Sequence, residues 1–264
     1  MEIFQMEFMQ RALIVAVFIS IITPIIGNVI VLKRLSTIGD ALSHSGLAGV
    51  TIGLCVGINP VLSAVIVSVL AALTIEYIRR GFPNYSELAT AIVLSFGVGL
   101  AAVFSGFVKN AATLNSFLFG SIVAISDFEM WVVILLSIVV IVVAAVLYRE
   151  LFYVTFDEEG AGLSGVPVKS VNLIFTVLTA IVVSVAARTV GVLVISSLMV
   201  VPVACAMLIS KSYKQNIVLS VIFALVFTIT GLMITAFYDI KPGGTIVLVG
   251  IAVLLVLLLM RKRR

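Results

Sequence analysis

Charge is scarce in this sequence. Of 264 residues only 11% are Asp, Glu, Lys or Arg, while 62% are hydrophobic. A soluble domain carries about 25% charged and about 45–50% apolar residues, so this chain lacks the polar surface to cover itself in water. That excludes a soluble enzyme. The 16 basic residues give a net charge of only +4 and stand at segment ends rather than on one face, which excludes a nucleic-acid binder. Cysteine is limited to Cys55 and Cys205, both in apolar runs, and implies no disulfide framework. No Gly-x-x-x-x-Gly-Lys-Ser/Thr phosphate loop occurs. If ATP drives the protein, another chain hydrolyses it.

What the sequence has is long apolar runs. These are too long and unbroken for the alternating strands of a membrane β-barrel, so the expected class is all-α: a polytopic helical membrane protein. The acidic start Met1-Glu2-Ile3-Phe4-Gln5-Met6-Glu7 has no signal-peptide character, so the first apolar segment is expected to remain as a span. With about 17–25 apolar residues needed per crossing, nine spans are expected, at 11–32, 38–58, 60–78, 86–108, 130–147, 168–186, 189–210, 216–237 and 244–260. Segment 112–125 is too short to cross and reads as a re-entrant or interfacial helix. All connections are short except Tyr148 to Ser170, so 1–264 is expected to be one transmembrane domain.

Basic residues mark the cytoplasmic ends of spans. With the amino terminus outside and nine crossings, Lys33, Arg34, Arg79, Arg80, Arg149, Lys169, Lys211, Lys214 and Arg261-Lys262-Arg263-Arg264 fall inside. Only Arg11, Lys109, Arg188 and Lys241 fall outside. The expected topology is therefore N-outside and C-inside.

Chemistry concentrates in Gly39-Asp40-Ala41-Leu42-Ser43-His44-Ser45-Gly46-Leu47-Ala48-Gly49. His44 is the only histidine, and on a helix it shares a face with Asp40, four residues earlier. Ionisable groups inside a membrane are costly and mark substrate, ion or proton paths. A carboxylate with an imidazole suits Zn²⁺ or Mn²⁺. Three readings of the pair stand: metal ligands, a proton relay, or two groups that satisfy one another in a helix contact. Two ligands cannot complete a dication's shell, so the metal reading calls for a second copy of the chain. A ligating imidazole must be neutral, so acidification should weaken transport.

Gly49, Gly53 and Gly57 repeat at four-residue spacing and read as a surface for close helix packing. Pro24 and Pro202 lie inside spans and are expected to kink them. Cys205 reads as a packing residue, with a soft-ligand role as the minor option. Asp239, beside Lys241-Pro242-Gly243-Gly244, reads as a turn residue, with metal entry as the minor option. In Phe156-Asp157-Glu158-Glu159-Gly160-Ala161-Gly162-Leu163-Ser164-Gly165-Val166-Pro167, acids precede a glycine-proline stop. That pattern fits either a short surface helix or a solvated loop.

The Gly39–Val50 run resembles the signature of the permease family of ATP-binding-cassette importers for zinc, manganese and iron. Further runs resemble that family in the same order: Leu118-Phe119-Gly120-Ser121-Ile122, Asp157-x-x-x-Ala161-x-x-x-Gly165, Val190-Gly191-Val192-Leu193-Val194 to Pro202, and Asp239-x-x-Pro242-Gly243-Gly244. The resemblance implies a fold similar to the cobalamin-importer permease, in the plasma membrane. It implies an assembly of two permeases, two ATPase subunits and an extracytoplasmic metal-binding protein. It also implies that Asp40 and His44 are ligands for a transported zinc or manganese ion. Residues 157–166, with Asp157, Glu158, Ala161 and Gly165, would form the coupling helix that docks on the ATPase. The rival readings are a proton-coupled secondary metal transporter and a membrane scaffold.

Overall fold

The computed structural model describes residues 7–82, 85–108, 111–121, 125–238 and 240–262. These form twelve helices and, among the described residues, no strand. In chain order they are α1 (Glu7–Leu32), α2 (Ile38–Val56), α3 (Pro60–Gly81), α4 (Ser86–Ser105), α5 (Ala111–Phe119) and α6 (Asp127–Val146). There follow α7 (Tyr148–Phe156), α8 (Glu158–Leu163), α9 (Val168–Val190), α10 (Val192–Met207), α11 (Tyr213–Tyr238) and α12 (Pro242–Lys262).

Seven of these, α1, α3, α4, α6, α9, α11 and α12, are long and apolar enough to cross a membrane among the described residues. The expected count of nine is not reached on length and composition. Two of the nine segments are helical but fall short for different reasons. α10 has only 16 residues, because the backbone breaks at Gly191, whose φ of +100° is open to glycine and strained for other residues. α2 has 19 residues, but its glycines, serines, carboxylate and imidazole dilute its apolar character. Segment 112–125 begins within the nine-residue α5, a short helix that ends at Phe119. α1 and α10 continue through Pro24 and Pro202 as single helices.

A helix rich in small and polar residues, α2, lies deepest. α2 is enclosed by α3, α4, α9 and α10 and touched by α5. Its buried face, from Ile38 to Gly53, includes Ala41, Leu42, Ala48, Val50 and Thr51, each essentially inaccessible. Such packing needs small residues: a Cβ on Gly49 would lie 2.5 Å from the Ser63 carbonyl oxygen and 2.7 Å from Ala64 Cα on α3. α1 packs on α6, α10 and α11. A polar seam joins it to α11, where Ser20 Oγ donates to Thr228 Oγ1 (2.6 Å) and Asn28 Nδ2 to Ser220 Oγ (3.0 Å). In hydrocarbon, where no water competes, such bonds hold helices in register.

Ion pairs tie the helix ends. At one end Arg11 Nε on α1 meets Asp127 Oδ1 on α6 (2.8 Å), and Arg188 Nη1 on α9 meets Glu129 Oε1 on α6 (2.6 Å). Arg188 also lies over the Phe117 ring of α5, 5.5 Å from its centre. At the opposite end Lys33, Arg79 and Glu158 come together.

Candidate functional site

Asp40 sits in the first turn of α2, where a carboxylate meets the positive end of the helix dipole. His44 lies one turn on, about 6 Å along the axis at 1.5 Å per residue. Both side chains are half-buried on a helix whose other residues from Ile38 to Val50 are buried. Close contacts seal the remaining faces. Gly39 lies against Ser196 of α10, Gly46 against Ser68 of α3 and Ser184 of α9, and Gly97 of α4 against the backbone of His44 and Ser45. The Asp40–His44 strip is what these neighbours leave open.

The hydroxyls around the pair are already occupied. Ser43 Oγ donates to the Asp40 carbonyl (3.0 Å), Ser45 Oγ to the Ala41 carbonyl (2.8 Å), and Ser68 Oγ to the Leu42 carbonyl (3.0 Å). No hydrogen bond or ion pair joins the Asp40 carboxylate and the His44 imidazole to one another or to another described side chain. The two are therefore not a closed pair. Nor do they complete a cation site alone: among the described residues no three His, Cys, Asp or Glu side chains come close enough to hold a metal. Cys205 is buried within α10, Cys55 is exposed at the far end of α2, and Asp239 lies outside the described residues. One chain thus offers two candidate ligands on one open strip.

The second candidate region is 157–166. Asp157 caps α8, its Oδ1 accepting from the Gly160 N–H at 2.9 Å. Ala161 is 2% exposed and packs against Val29, Leu151, Val154 and Val171, so it seats α8 on the helical body. Gly165, at φ +85°, ends the helix while the Val166 N–H reaches back to the Ala161 carbonyl (3.0 Å). Outward, α8 presents Leu163, 92% exposed, with Phe156 exposed just before it.

Glu158 points neither outward nor into water alone. Its Oε2 lies 3.3 Å from Lys33 Nζ, and its Oε1 accepts from Asn172 Nδ2 at 2.6 Å. Asn172 Oδ1 in turn accepts from Lys33 Nζ at 2.8 Å. Arg79 Nη2 stands 3.8 Å from Glu158 Oε1 and 3.2 Å from Glu76 Oε2. Burial pushes the Lys33 ammonium below the usual lysine range, against the opposing pull of Glu158. Sequence reasoning names Glu158 but not Lys33, Asn172, Arg79 or Glu76. Their only signal is that the topology reading puts Lys33 and Arg79 on the same side as 157–166. Helix α7 is likewise unforeseen, hidden in a stretch that reads as a polar connection.

Comparison with known proteins places the whole chain. A probable metal transport system membrane protein of Treponema pallidum is 34% identical over 256 residues, 96% of each chain. The manganese transport system membrane protein MntC of Listeria monocytogenes is 32% identical, covering 93% of this chain and 88% of that one. The solved structure of PsaBC from Streptococcus pneumoniae, in complex with Fab, matches with a TM-score of 0.86 at 30% identity. It covers 96% of this chain and 92% of that one. The model of the ABC 3 transport family matches residues 5–261. With its apolar helices and a match across nearly its full length, the chain is a multi-pass membrane protein that belongs to the ABC 3 transport family.

Proposed function

We propose that this chain is the permease subunit of an ATP-binding-cassette importer and passes a divalent transition-metal ion, manganese or zinc, across the plasma membrane. The observation that carries the reading is the Asp40–His44 strip: a carboxylate and an imidazole one turn apart, joined to no other described side chain, on the open side of an otherwise buried helix. Manganese transport in the relative's name agrees with that ligand pair. Membership of the family favours this reading over a proton-coupled transporter working alone.

In this reading nine segments cross the bilayer, α2 and α10 among them, supported by their neighbours rather than by their own hydropathy. The Lys33 end faces the cytoplasm, as the lysine and arginine bias requires, so the amino terminus is outside and the carboxyl terminus inside. An extracytoplasmic binding protein delivers the ion at the Arg188 end. Two copies of the chain bring two Asp40 and two His44 side chains to one path, which makes four ligands where a single chain offers two. The ion exchanges part of its hydration shell for them and forms no covalent bond. Leu163 and Phe156 give α8 the exposed apolar tip with which it docks on an ATPase subunit. ATP-driven closure of the ATPase pair then exchanges outward for inward access.

The test is uptake of radioactive manganese and zinc by cells lacking their own importer and supplied with this chain and its partners. Asp40→Ala and His44→Ala should each reduce uptake to background while membrane abundance stays at the wild-type level. Normal uptake in both variants would end the proposal.

A further inference from the structure

From the geometry at the Lys33 end we infer that Lys33, Glu158 and Asn172 form a mechanical tie. It transmits movement of α8 to the α1–α2 turn and so to Asp40 and His44. The inference rests on the transport reading above and assigns positioning residues to it.

Three observations converge. First, α8 packs on α7 and α9, and among the described residues its ion pairs to Lys33, just past α1, and to Arg79 of α3 run through one side chain, Glu158. Asn172 bridges the carboxylate and the ammonium from α9, so the three groups close a ring of hydrogen bonds. The Lys33 side chain is 8% exposed; a buried ammonium holds its partner firmly because separation strands the charge.

Second, the connection from Lys33 to Asp40 has no slack. The Arg34 N–H donates to the Val31 carbonyl (3.0 Å) and the Leu35 N–H to the Ile30 carbonyl (2.9 Å). The Ile38 N–H then donates to the Leu35 carbonyl (2.9 Å), and Ala41 to Thr37 (3.1 Å). Arg34 takes a left-handed φ of 58°, where glycine is usual. A non-glycine residue keeps that conformation only where its surroundings over-determine it. A pull on Lys33 therefore displaces the start of α2 rather than stretching the turn.

Third, a cleft of about 710 Å³ lies beside the tie, lined by Lys33, Arg34, Phe156, Glu158 and Met207. It leaves α8 and the turn free to shift together without colliding with the end of α10. A purely structural ion pair needs no such space.

The test uses the full chain reconstituted in liposomes with its ATPase partner and its extracytoplasmic metal-binding protein, and reads Mn²⁺ moved per ATP hydrolysed. In Glu158→Gln and in Lys33→Met, hydrolysis should persist while Mn²⁺ per ATP falls about tenfold, the scale of ordinary coupling free energies. Lys33→Arg keeps the charge and should restore most of the ratio. An unchanged ratio in both broken variants overturns the inference. A second measurement does not depend on those variants folding. Spin labels at Thr37→Cys and Ser164→Cys, with Cys55→Ser and Cys205→Ala, should hold one distance through the ATP cycle while the distance from either to a label at Tyr238→Cys changes. A Thr37–Ser164 distance that changes with nucleotide overturns the tie even if transport is intact. Absence of ATP-driven Mn²⁺ uptake in the wild-type chain would instead remove the transport reading, and the inference with it.

Discussion

α2 and α6 are nearly equal in length, 19 and 20 residues, and opposite in character. α6 is among the most apolar helices of the chain, yet half of its side chains, including Trp131 and Leu135, are exposed at the surface of the bundle. α2 carries a carboxylate, an imidazole and several glycines and serines, yet is enclosed almost all round. In water the relation would be reversed. In a bilayer the solvent is itself hydrocarbon, so hydropathy marks the surface that meets lipid, while the interior is chosen for close approach and polar function. α2 is central because its small residues admit close neighbours on nearly every side, and that packing holds Asp40 and His44 in position.

If that is right, the costliest change is one that widens α2 where it meets backbone. Gly49→Val would place side-chain atoms against the Ser63 carbonyl and the Ala64 backbone of α3, neither of which can rotate away. Overpacking of this kind costs about 3 kcal/mol at the upper end of its range, and the thermal unfolding midpoint of the purified chain should fall accordingly. An unchanged midpoint would show that α2 and α3 separate freely and that the glycine spacing has no packing role.

A smaller change sharpens the comparison by separating packing from placement. Gly97 on α4 faces the backbone of Ser45 and His44, with 2.9 Å from an added Cβ to the Ser45 nitrogen and 3.2 Å to the His44 carbonyl carbon. Gly97→Ala should cost about 2 kcal/mol, because backbone atoms block the added methyl group and α2 and α4 must shift apart to admit it. That shift moves His44. Metal uptake should therefore fall by more than the loss of folded protein explains, measured as uptake per chain in the membrane. Uptake that simply follows protein level would mean that the position of His44 is not critical.

Much of this was legible beforehand, for physical reasons that differ by region. The helical segments were readable because apolar runs leave little alternative in a bilayer, and α6, α11 and α12 follow their expected bounds to within a few residues. The Asp40–His44 face was readable because helical spacing fixes it locally. The count of spans was less so. α10 is shortened by a backbone break at Gly191, enforced by close contact with Phe119 and Gly120 from the end of α5. No local pattern announces a partner so far away along the chain. The Lys33–Asn172–Glu158 ring was hidden for the same reason: its three members lie on three elements, and only folding brings them together. Ala161 shows the limit from the other direction. Its place in a run resembling the docking segment said nothing of its orientation, and its methyl group turns inward to seat the helix.

The smallest effect tests the other half of the comparison. Leu135 on α6 is 66% exposed and faces lipid in the bilayer reading. Truncating a leucine in a packed core costs about 2–5 kcal/mol, because transfer and cavity terms add. At Leu135 neither term operates: hydrocarbon surrounds the side chain whether or not the helices are assembled, and lipid fills the space left by its removal. Leu135→Ala should therefore shift stability by no more than about 0.5 kcal/mol, as substitutions away from packed contacts do. Measurement in lipid nanodiscs keeps the hydrocarbon in place. A loss of core size would mean that α6 is covered by another protein surface, and its high hydropathy would then report an interface rather than lipid.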